Sequence, residues 1–294
     1  MASRRKGKGI MVPDAAPSEL PEDIPSGCKY KLSWRESKDK KCVLLEIFFQ
    51  GRNGYCWTVV LNRMISAHLY IHQKVRKLLR LSCKHLFASI EEKFDDGFLK
   101  NYKGVKVFLK ENGLVLEEEC KCVLGKKEIN TVACDKVKDK TTFKIRELII
   151  VEGNEVDEKQ IIKLLNTHGV IAVHITVDEK YKTSKKDEIF YGTTSGKGNE
   201  NHMVLLTGYD TTKDGVHFFE YQNTWGEKWG GDGGYGKFAR KISLPKGRQS
   251  LIKAYIFWTK SLMCEDEKPT VHSIDAAEKE DAKKPRLTEE LSTV

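Results

Sequence analysis

The chain has 294 residues, of which 39% are hydrophobic and 32% charged, as in an ordinary soluble globular protein. No apolar run approaches the roughly 18 residues that a membrane-spanning helix requires, and the longest, 169–177, is interrupted by His174. The formal charge of +9 is uneven: residues 1–27 are neutral, and five basic and nine acidic side chains in 265–294 leave +13 on 28–264. The lysines are scattered and form no nucleic-acid-binding motif, so neither nucleic acid nor a membrane is an expected partner.

The N-terminus carries no apolar stretch of the kind that a secretory signal requires. Its basic start leads into Val-Pro-Asp at positions 12–14 and then into further prolines and acids. We therefore expect a cytoplasmic or nuclear protein. A gene model truncated at its 5′ end would instead point to a secretory, vacuolar or lysosomal one.

Eight cysteines occur without a regular spacing, which favours free thiols in a reducing compartment over a disulfide framework. They are Cys28, Cys42, Cys56, Cys83, Cys120, Cys122, Cys134 and Cys264. Three of them, at 120, 122 and 134, could approach a metal ion, but zinc sites generally use four ligands and no fourth is evident. No metal and no other cofactor is expected.

The chain divides into tails and two halves of different character. Residues 1–27 and 263–294 are rich in proline or charge and predict disordered tails. Between them, apolar spacing predicts helices over about 57–79 and 98–111, then short strands with one intervening helix. The strands are expected at 147–151, 170–175, 202–209, 216–221, 235–239 and 251–257, and the helix at 157–166. This order predicts an α+β protein with a helical lobe (28–118), a β lobe (119–262) and a site between them.

A candidate nucleophile lies at the start of the first helix. Residues 50–57 read Gln-Gly-Arg-Asn-Gly-Tyr-Cys-Trp, so Cys56 falls where the amphipathic pattern begins. A helix N-terminus stabilises a thiolate, and the thiolate is the nucleophilic form of cysteine. A small buried cysteine without chemistry fits this segment equally well.

Two later segments supply a candidate base and its partner. His202 opens an apolar strand that ends in Gly208-Tyr209, and Asn223 ends another strand before Trp225. An asparagine oxygen can accept the ring N–H of a histidine and hold its tautomer, while an indole shields that bond from water. Taken singly, each segment could also be structural: a histidine at a strand end, and a glycine-rich hairpin with core tryptophans.

Together, the three segments resemble the papain/cathepsin family of cysteine proteases. That family carries a Gln-Gly…Cys-Trp block, an Asn/Asp-His block ending in Gly-Tyr, and an Asn-Ser-Trp-Gly…Trp-Gly…Gly-Tyr block. Here they occur in the same order at 50–57, 201–209 and 223–235, and Cys56 precedes His202 by 146 residues, within a family range of roughly 130–150. The resemblance runs from about 28 to 260 and implies the family's two-lobe fold, with a helical lobe packed on an antiparallel, barrel-like β lobe.

The resemblance also implies the role of each site residue. Cys56 would attack a peptide carbonyl, His202 would act as the imidazolium beside it, and Asn223 would orient His202. Gln50 and the Cys56 backbone N–H would form the oxyanion hole. The resemblance implies roles for two further residues. Gly97 would offer its backbone to an extended substrate, and Trp225 would cover the His202–Asn223 contact.

Three departures from the family leave two functions open. Asn53 replaces a disulfide cysteine, Tyr55 replaces a small residue beside Cys56 and could narrow the cleft, and only about 27 residues precede the mature-like start instead of a long propeptide. The first function is a cysteine endopeptidase acting on peptide or protein substrates and open to a cystatin-like inhibitor. The alternative is an inactive or weakly active pseudoprotease that binds peptides or proteins in the cleft where the family's active site lies.

Overall fold

The protein is described from a computed structural model, which covers residues 24–35, 42–51, 54–120, 140–152, 157–194, 199–250 and 252–261. Asn53, Cys122, Cys134, Cys264 and the predicted C-terminal tail 263–294 lie outside the described residues, as do residues 1–23 of the predicted N-terminal tail. The last four residues of that tail, 24–27, are described, and Ile24 is buried in the hydrophobic core.

Three helices form the first half of the fold: α1 (Cys56–Ile71), α2 (Cys83–Ser89) and α3 (Lys103–Glu111). Fourteen of the sixteen residues of α1 are buried, so it is a core helix and not a one-faced surface helix. It ends eight residues before the predicted boundary because Gln73 adopts a left-handed backbone with φ of 55°. None of the described helices combines the length and the apolar character needed to cross a membrane.

The second helix was not predicted, and the third is shorter than predicted. The Ser82 hydroxyl caps α2 by accepting a hydrogen bond from the His85 amide at 3.2 Å. Residues 98–102, predicted to be helical, belong to a turn and a loop, and α3 begins at 103. Gly113, with φ of 79°, follows the end of α3 as its position predicted.

Eight strands form a single sheet, and seven of them lie in the second half of the chain. They are β1 (Leu32–Ser33), β2 (Glu147–Glu152), β3 (Ile171–Val177), β4 (Ile189–Phe190), β5 (Glu200–Thr211), β6 (His217–Gln222), β7 (Tyr235–Ala239) and β8 (Ile252–Ser261). The order is β2-β8-β3-β5-β6-β7-β4, with β1 paired to β5, and all pairs are antiparallel except β4 with β7. Across the described strands this path is open, so the expected barrel-like lobe is a mixed open sheet.

Strand β5 lies between two hydrophobic layers and alternates between them. Met203 and Leu205 belong to the cluster that contains the buried face of α1. Val204 and Leu206 belong to the opposite cluster, together with residues of helix α4 (Glu158–Thr167) and of the short helix α5 (Glu179–Lys182). This period-two alternation fixes the strand's register. It also brings the first residues of β5 to the N-terminal end of α1, where the two halves of the fold meet.

Candidate active site

Cys56 is the first residue of α1, and the turn before it is tied to a facing loop. The Gly54 amide donates to the Asp96 carbonyl at 2.8 Å, and the Trp57 indole N–H donates to the Gly97 carbonyl at 3.0 Å. Tyr55 precedes the helix and makes no side-chain cap. Cys56 therefore meets the unpaired amides of the helix start, and only 1% of its surface is exposed.

Burial dominates the ionisation of Cys56. It raises the pKa of the thiol to about 11, although the backbone amides of Met203, Trp57 and Cys56 favour the thiolate. Contact with the Met203 amide also locates the sulfur, because Met203 follows His202 directly on β5. The sulfur atom therefore faces the strand that carries the candidate base.

His202 is held by Asn223 and covered by Trp225. The His202 Nε2 atom lies 2.7 Å from the Asn223 Oδ1 atom, which also accepts the backbone N–H of Thr224 at 2.8 Å. Because a backbone amide can only donate, this Asn223 atom is the acceptor and His202 Nε2 carries the hydrogen. The Trp225 ring lies 4.5 Å from the imidazole, at 30° to it. The tautomer leaves Nδ1 as the nitrogen that can take a proton.

Burial also keeps the imidazole neutral. It lowers the pKa of His202 to about 4, with a smaller contribution from His174, while the hydrogen bond to Asn223 acts in the opposite direction. The resemblance implied a thiolate beside an imidazolium. Burial instead favours the neutral thiol and the neutral imidazole here.

Gln50 is oriented by a residue that the sequence analysis did not single out. The backbone N–H of Gln50 donates to the backbone carbonyl of Thr224 at 2.9 Å, and the Thr224 hydroxyl donates to the side-chain oxygen of Gln50. The hydrogen bond from Thr224 fixes the oxygen of the Gln50 side-chain amide. The side-chain nitrogen of Gln50 is therefore the atom that would donate to an oxyanion. Thr224 directly follows Asn223, and the family motif Asn-Ser-Trp-Gly also has a hydroxyl side chain at this position. That shared hydroxyl could have predicted the role of Thr224.

Two predicted features lie elsewhere than expected. Gly97 is buried, its amide donates to the Phe94 carbonyl at 2.9 Å, and its carbonyl accepts the Trp57 indole N–H. Its backbone is therefore engaged inside the protein and does not face an incoming substrate. Tyr55 does not narrow the cleft, because its ring is buried edge-on against Phe87 at 4.5 Å.

Two cavities lie along the junction between the helices and the sheet. One, of about 750 Å³, is lined by Cys56, Trp57 and His174 among others, and a second, of about 510 Å³, is lined by His202 and Trp225 among others. Three residues border both cavities, namely Phe98, Glu200 and Asn201. Among the described residues, no group of three or more His, Cys, Asp or Glu is placed to hold a metal ion.

Comparison with known proteins identifies the family of this chain. The family model described as "Papain family cysteine protease" matches residues 29–256. The probable cysteine protease RDL3 of Arabidopsis thaliana is 26% identical over 237 residues, which cover 79% of this chain and 58% of that protein. Mouse cathepsin K is 28% identical over 205 residues, covering 68% and 58% of the two chains. The chain thus spans about three fifths of the length of these relatives.

Solved structures share the fold at lower sequence identity. The bromelain protease of Ananas comosus, solved with the E64 inhibitor, superposes with a TM-score of 0.61 at 18% identity, covering 79% of this chain and 99% of that one. The procathepsin B S9 of Trypanosoma congolense gives a TM-score of 0.63 at 17% identity, covering 84% and 82%. With the order of the sequence blocks and the family match over most of its length, this chain belongs to the papain family of cysteine proteases.

Proposed function

We propose that the protein is a cysteine endopeptidase in which Cys56 attacks the peptide carbonyl and His202 transfers the proton. The observation that carries this proposal is the 2.7 Å contact between His202 Nε2 and Asn223 Oδ1. It directs the other ring nitrogen to proton transfer, while the Cys56 sulfur lies against the amide that follows His202. Gln50 and the Cys56 amide are the proposed donors to the developing oxyanion.

The reaction follows from these positions. The thiol proton passes from Cys56 Sγ to His202 Nδ1 as the sulfur bonds to the carbonyl carbon, and the oxyanion is held by the Gln50 amide nitrogen and the Cys56 N–H. Collapse of this intermediate breaks the C–N bond, and the leaving amine takes the proton from His202. A water molecule, deprotonated by His202, then attacks the thioester and releases the carboxylic acid with regeneration of the Cys56 thiol.

The neutral state of Cys56 and His202 is compatible with this sequence of steps. A thiol with a pKa of about 11 and an imidazole with a pKa of about 4 do not ionise each other at rest. We infer that a bound substrate supplies the trigger, because the oxyanion that forms in the transition state is stabilised by donors already in place.

A second candidate function is favoured by the burial of the site. Cys56 is 1% and His202 3% exposed, which fits a pseudoprotease that binds peptides or proteins along the outer cleft without cleaving them. The two functions differ in one measurable property, the reactivity of Cys56 toward a substrate-like electrophile.

The deciding experiment is labelling with a peptidyl vinyl sulfone, followed by mass spectrometry of the modified residue. The endopeptidase proposal expects one label on Cys56 that is lost in His202→Ala and kept in His174→Ala. Absence of label on Cys56, or equal label in the His202→Ala variant, would overturn it in favour of the pseudoprotease. A cystatin-like inhibitor, if it is a partner, should slow the same labelling by occupying the cleft.

We also propose that the protein works in a reducing compartment, the cytoplasm or the nucleus. The five described cysteines, Cys28, Cys42, Cys56, Cys83 and Cys120, are free thiols, which is the usual state of cysteine in a reducing compartment. The melting temperature should be the same with and without dithiothreitol. A fall of more than about 5 °C on reduction, roughly 1.3–2.5 kcal/mol for a domain of this size, would contradict the proposal.

A further inference from the structure

Phe98 stands at the end of a short turn that is fixed on several sides. The Phe94 amide donates to the Phe98 carbonyl at 2.8 Å, and the Phe98 amide donates to the Asp96 side chain at 3.2 Å. Gly97 allows the turn through its φ of 91°. The hydrogen bond from Gly54 to Asp96 joins this turn to the residues before Cys56. The Phe98 side chain is therefore carried on a rigid support.

The ring of Phe98 lies against the turn that precedes the nucleophile. A side-chain carbon added to Gly54, two residues before Cys56, would lie 2.7 Å from Phe98 Cδ2 and 2.8 Å from Phe98 Cγ. The ring thus rests directly on the backbone of Gly54, in the space that a side chain there would occupy. Phe98 also packs against the core cluster that contains Cys56 and Trp57.

The same ring lies where the two cavities meet. The larger cavity contains Cys56 and not His202, whereas the smaller contains His202, Gln50 and Trp225 and not Cys56; Phe98 borders both. Across the cleft from it, Glu200 and Asn201 also border both cavities. Phe98 and these two residues thus form the boundary between the cavities.

The proposed reaction assigns each cavity to one part of the substrate. His202 protonates the leaving amine, so the chain that leaves extends into the cavity lined by His202 and Trp225. The acyl part bonded to Cys56 extends into the cavity lined by Cys56 and Trp57. The residue that supplies the scissile carbonyl must then lie at the boundary between them, beside the ring of Phe98.

We propose that Phe98 is a specificity-determining residue that restricts the position supplying the scissile carbonyl to glycine. This inference rests on the proposed endopeptidase function. A glycine brings only backbone to the boundary, whereas any larger side chain competes with the phenylalanine ring for the space over Gly54. Because the turn is anchored through Asp96 and Gly97, the backbone of Phe98 cannot move away from Gly54 without breaking the hydrogen bonds of the turn. The preferred substrates are peptides or proteins cleaved after glycine.

Two electrophilic probes that differ only at this position test the inference. Acetyl-Leu-Gly and acetyl-Leu-Phe acyloxymethyl ketones place glycine or phenylalanine next to the reactive carbon. The second-order rate of Cys56 labelling is measured by mass spectrometry for the wild type, Phe98→Ala and Phe98→Leu. We expect the glycine probe to label the wild type at least about tenfold faster, Phe98→Ala to bring the ratio within about twofold, and Phe98→Leu to give an intermediate ratio.

The matched control is Phe94→Ala, on the same turn. Phe94 is 54% exposed and lines the larger cavity but not the smaller, so its loss can change the absolute labelling rates but should leave the ratio of the two probes unchanged. Melting temperatures of all variants establish that each is folded, and Phe98→Leu preserves most of the packing if Phe98→Ala does not fold.

The outcomes separate this inference from the proposed function. Equal labelling of the wild type by both probes, with dependence on His202, would overturn the role of Phe98 and leave the endopeptidase intact. Labelling by the glycine probe in Phe98→Ala but not in the wild type would also overturn it, since Phe98 would then exclude glycine as well. Failure of both probes on every variant would overturn the endopeptidase proposal itself.

Discussion

The hydroxyl of Thr224 donates a hydrogen bond to the side-chain oxygen of Gln50. A second bond, from the Gln50 amide to the Thr224 carbonyl at 2.9 Å, joins the same two residues through their backbones. Thr224 in turn donates its own amide to Asn223 Oδ1 at 2.8 Å, the atom that holds His202. One residue therefore connects the proposed oxyanion donor with the partner of the base.

Thr224→Val should weaken catalysis through the orientation of Gln50. Valine has the shape of threonine but no hydroxyl, so the side-chain oxygen of Gln50 loses a hydrogen bond. That bond orients the side-chain nitrogen, which is the proposed oxyanion donor. We expect kcat to fall about tenfold with KM nearly unchanged, less than the roughly 100–1000-fold typical of removing an oxyanion donor, as in Gln50→Ala. Steady-state kinetics on a glycine-containing peptide measures both constants.

The conservative variant Thr224→Ser is the control for a positioning role. It retains the hydroxyl and should recover most of the wild-type kcat. If Thr224→Ser is as slow as Thr224→Val, the methyl group and its packing matter, and the orientation of Gln50 does not explain the loss.

The reactivity of Cys56 should increase steeply with pH. Burial holds the pKa of the free thiol at about 11, so the thiolate fraction grows about tenfold for each pH unit below that value. The rate of Cys56 alkylation by iodoacetamide should therefore rise continuously from pH 6 to pH 9, with the labelled site resolved from the exposed Cys42 by mass spectrometry. A rate already on a plateau at pH 5 would show a preformed ion pair with His202 instead.

The sequence singled out side chains that lie close together in the structure, but it did not predict their surroundings. Cys56, His202, Asn223, Gln50 and Trp225 lie together in the structure, because motif blocks that retain their order also retain the elements that carry them. The role of the turn at 94–98 could not be predicted in the same way. Whether Gly97 or Phe98 faces the cleft depends on a left-handed backbone at Gly97 and on hydrogen bonds to Gly54, which no local pattern encodes.

The same distinction applies to the fold. The prediction for α4 was correct within about one residue and the prediction for β5 within two, since each has a clear apolar period and α4 has Asp157 as its cap. The two-residue strands β1 and β4 were missed, because two residues cannot show a period. The order of the strands could not be predicted either, since it depends on long-range pairing and not on local propensity.

A buried ion pair should make Glu158→Gln strongly destabilising. Arg240 is 2% and Glu158 11% exposed, with Nε and Oε2 3.4 Å apart, and burial raises the pKa of Glu158 despite the attraction of Arg240. Removing the carboxylate takes a charged partner away from the buried guanidinium, at a cost of about 3 kcal/mol in unfolding free energy. Urea denaturation measures it. The control Glu179→Gln removes an exposed partner of Lys182 and should cost less than about 1 kcal/mol; equal losses would contradict the argument.

His68 should make the protein less stable in mild acid. Its Nε2 donates to the Val170 carbonyl at 2.6 Å and its Nδ1 accepts from the Thr259 hydroxyl at 2.8 Å, which joins α1 to the sheet through a neutral ring. Burial lowers its pKa to about 3, with smaller contributions from His72 and His168. Because the folded pKa lies below the unfolded value of about 6.5, the unfolded state binds the proton first as the pH falls. The contribution of His68 is therefore complete above pH 6.5 and is lost progressively toward pH 3.

Between pH 7 and pH 5 this one residue should reduce the unfolding free energy by about 2 kcal/mol. Urea denaturation of the wild type and of His68→Gln at both pH values measures it, since glutamine retains a donor and an acceptor but does not titrate. The variant should lose about 2 kcal/mol less than the wild type over this range. An equal pH dependence in the wild type and His68→Gln would mean that His68 does not remain neutral in the folded protein.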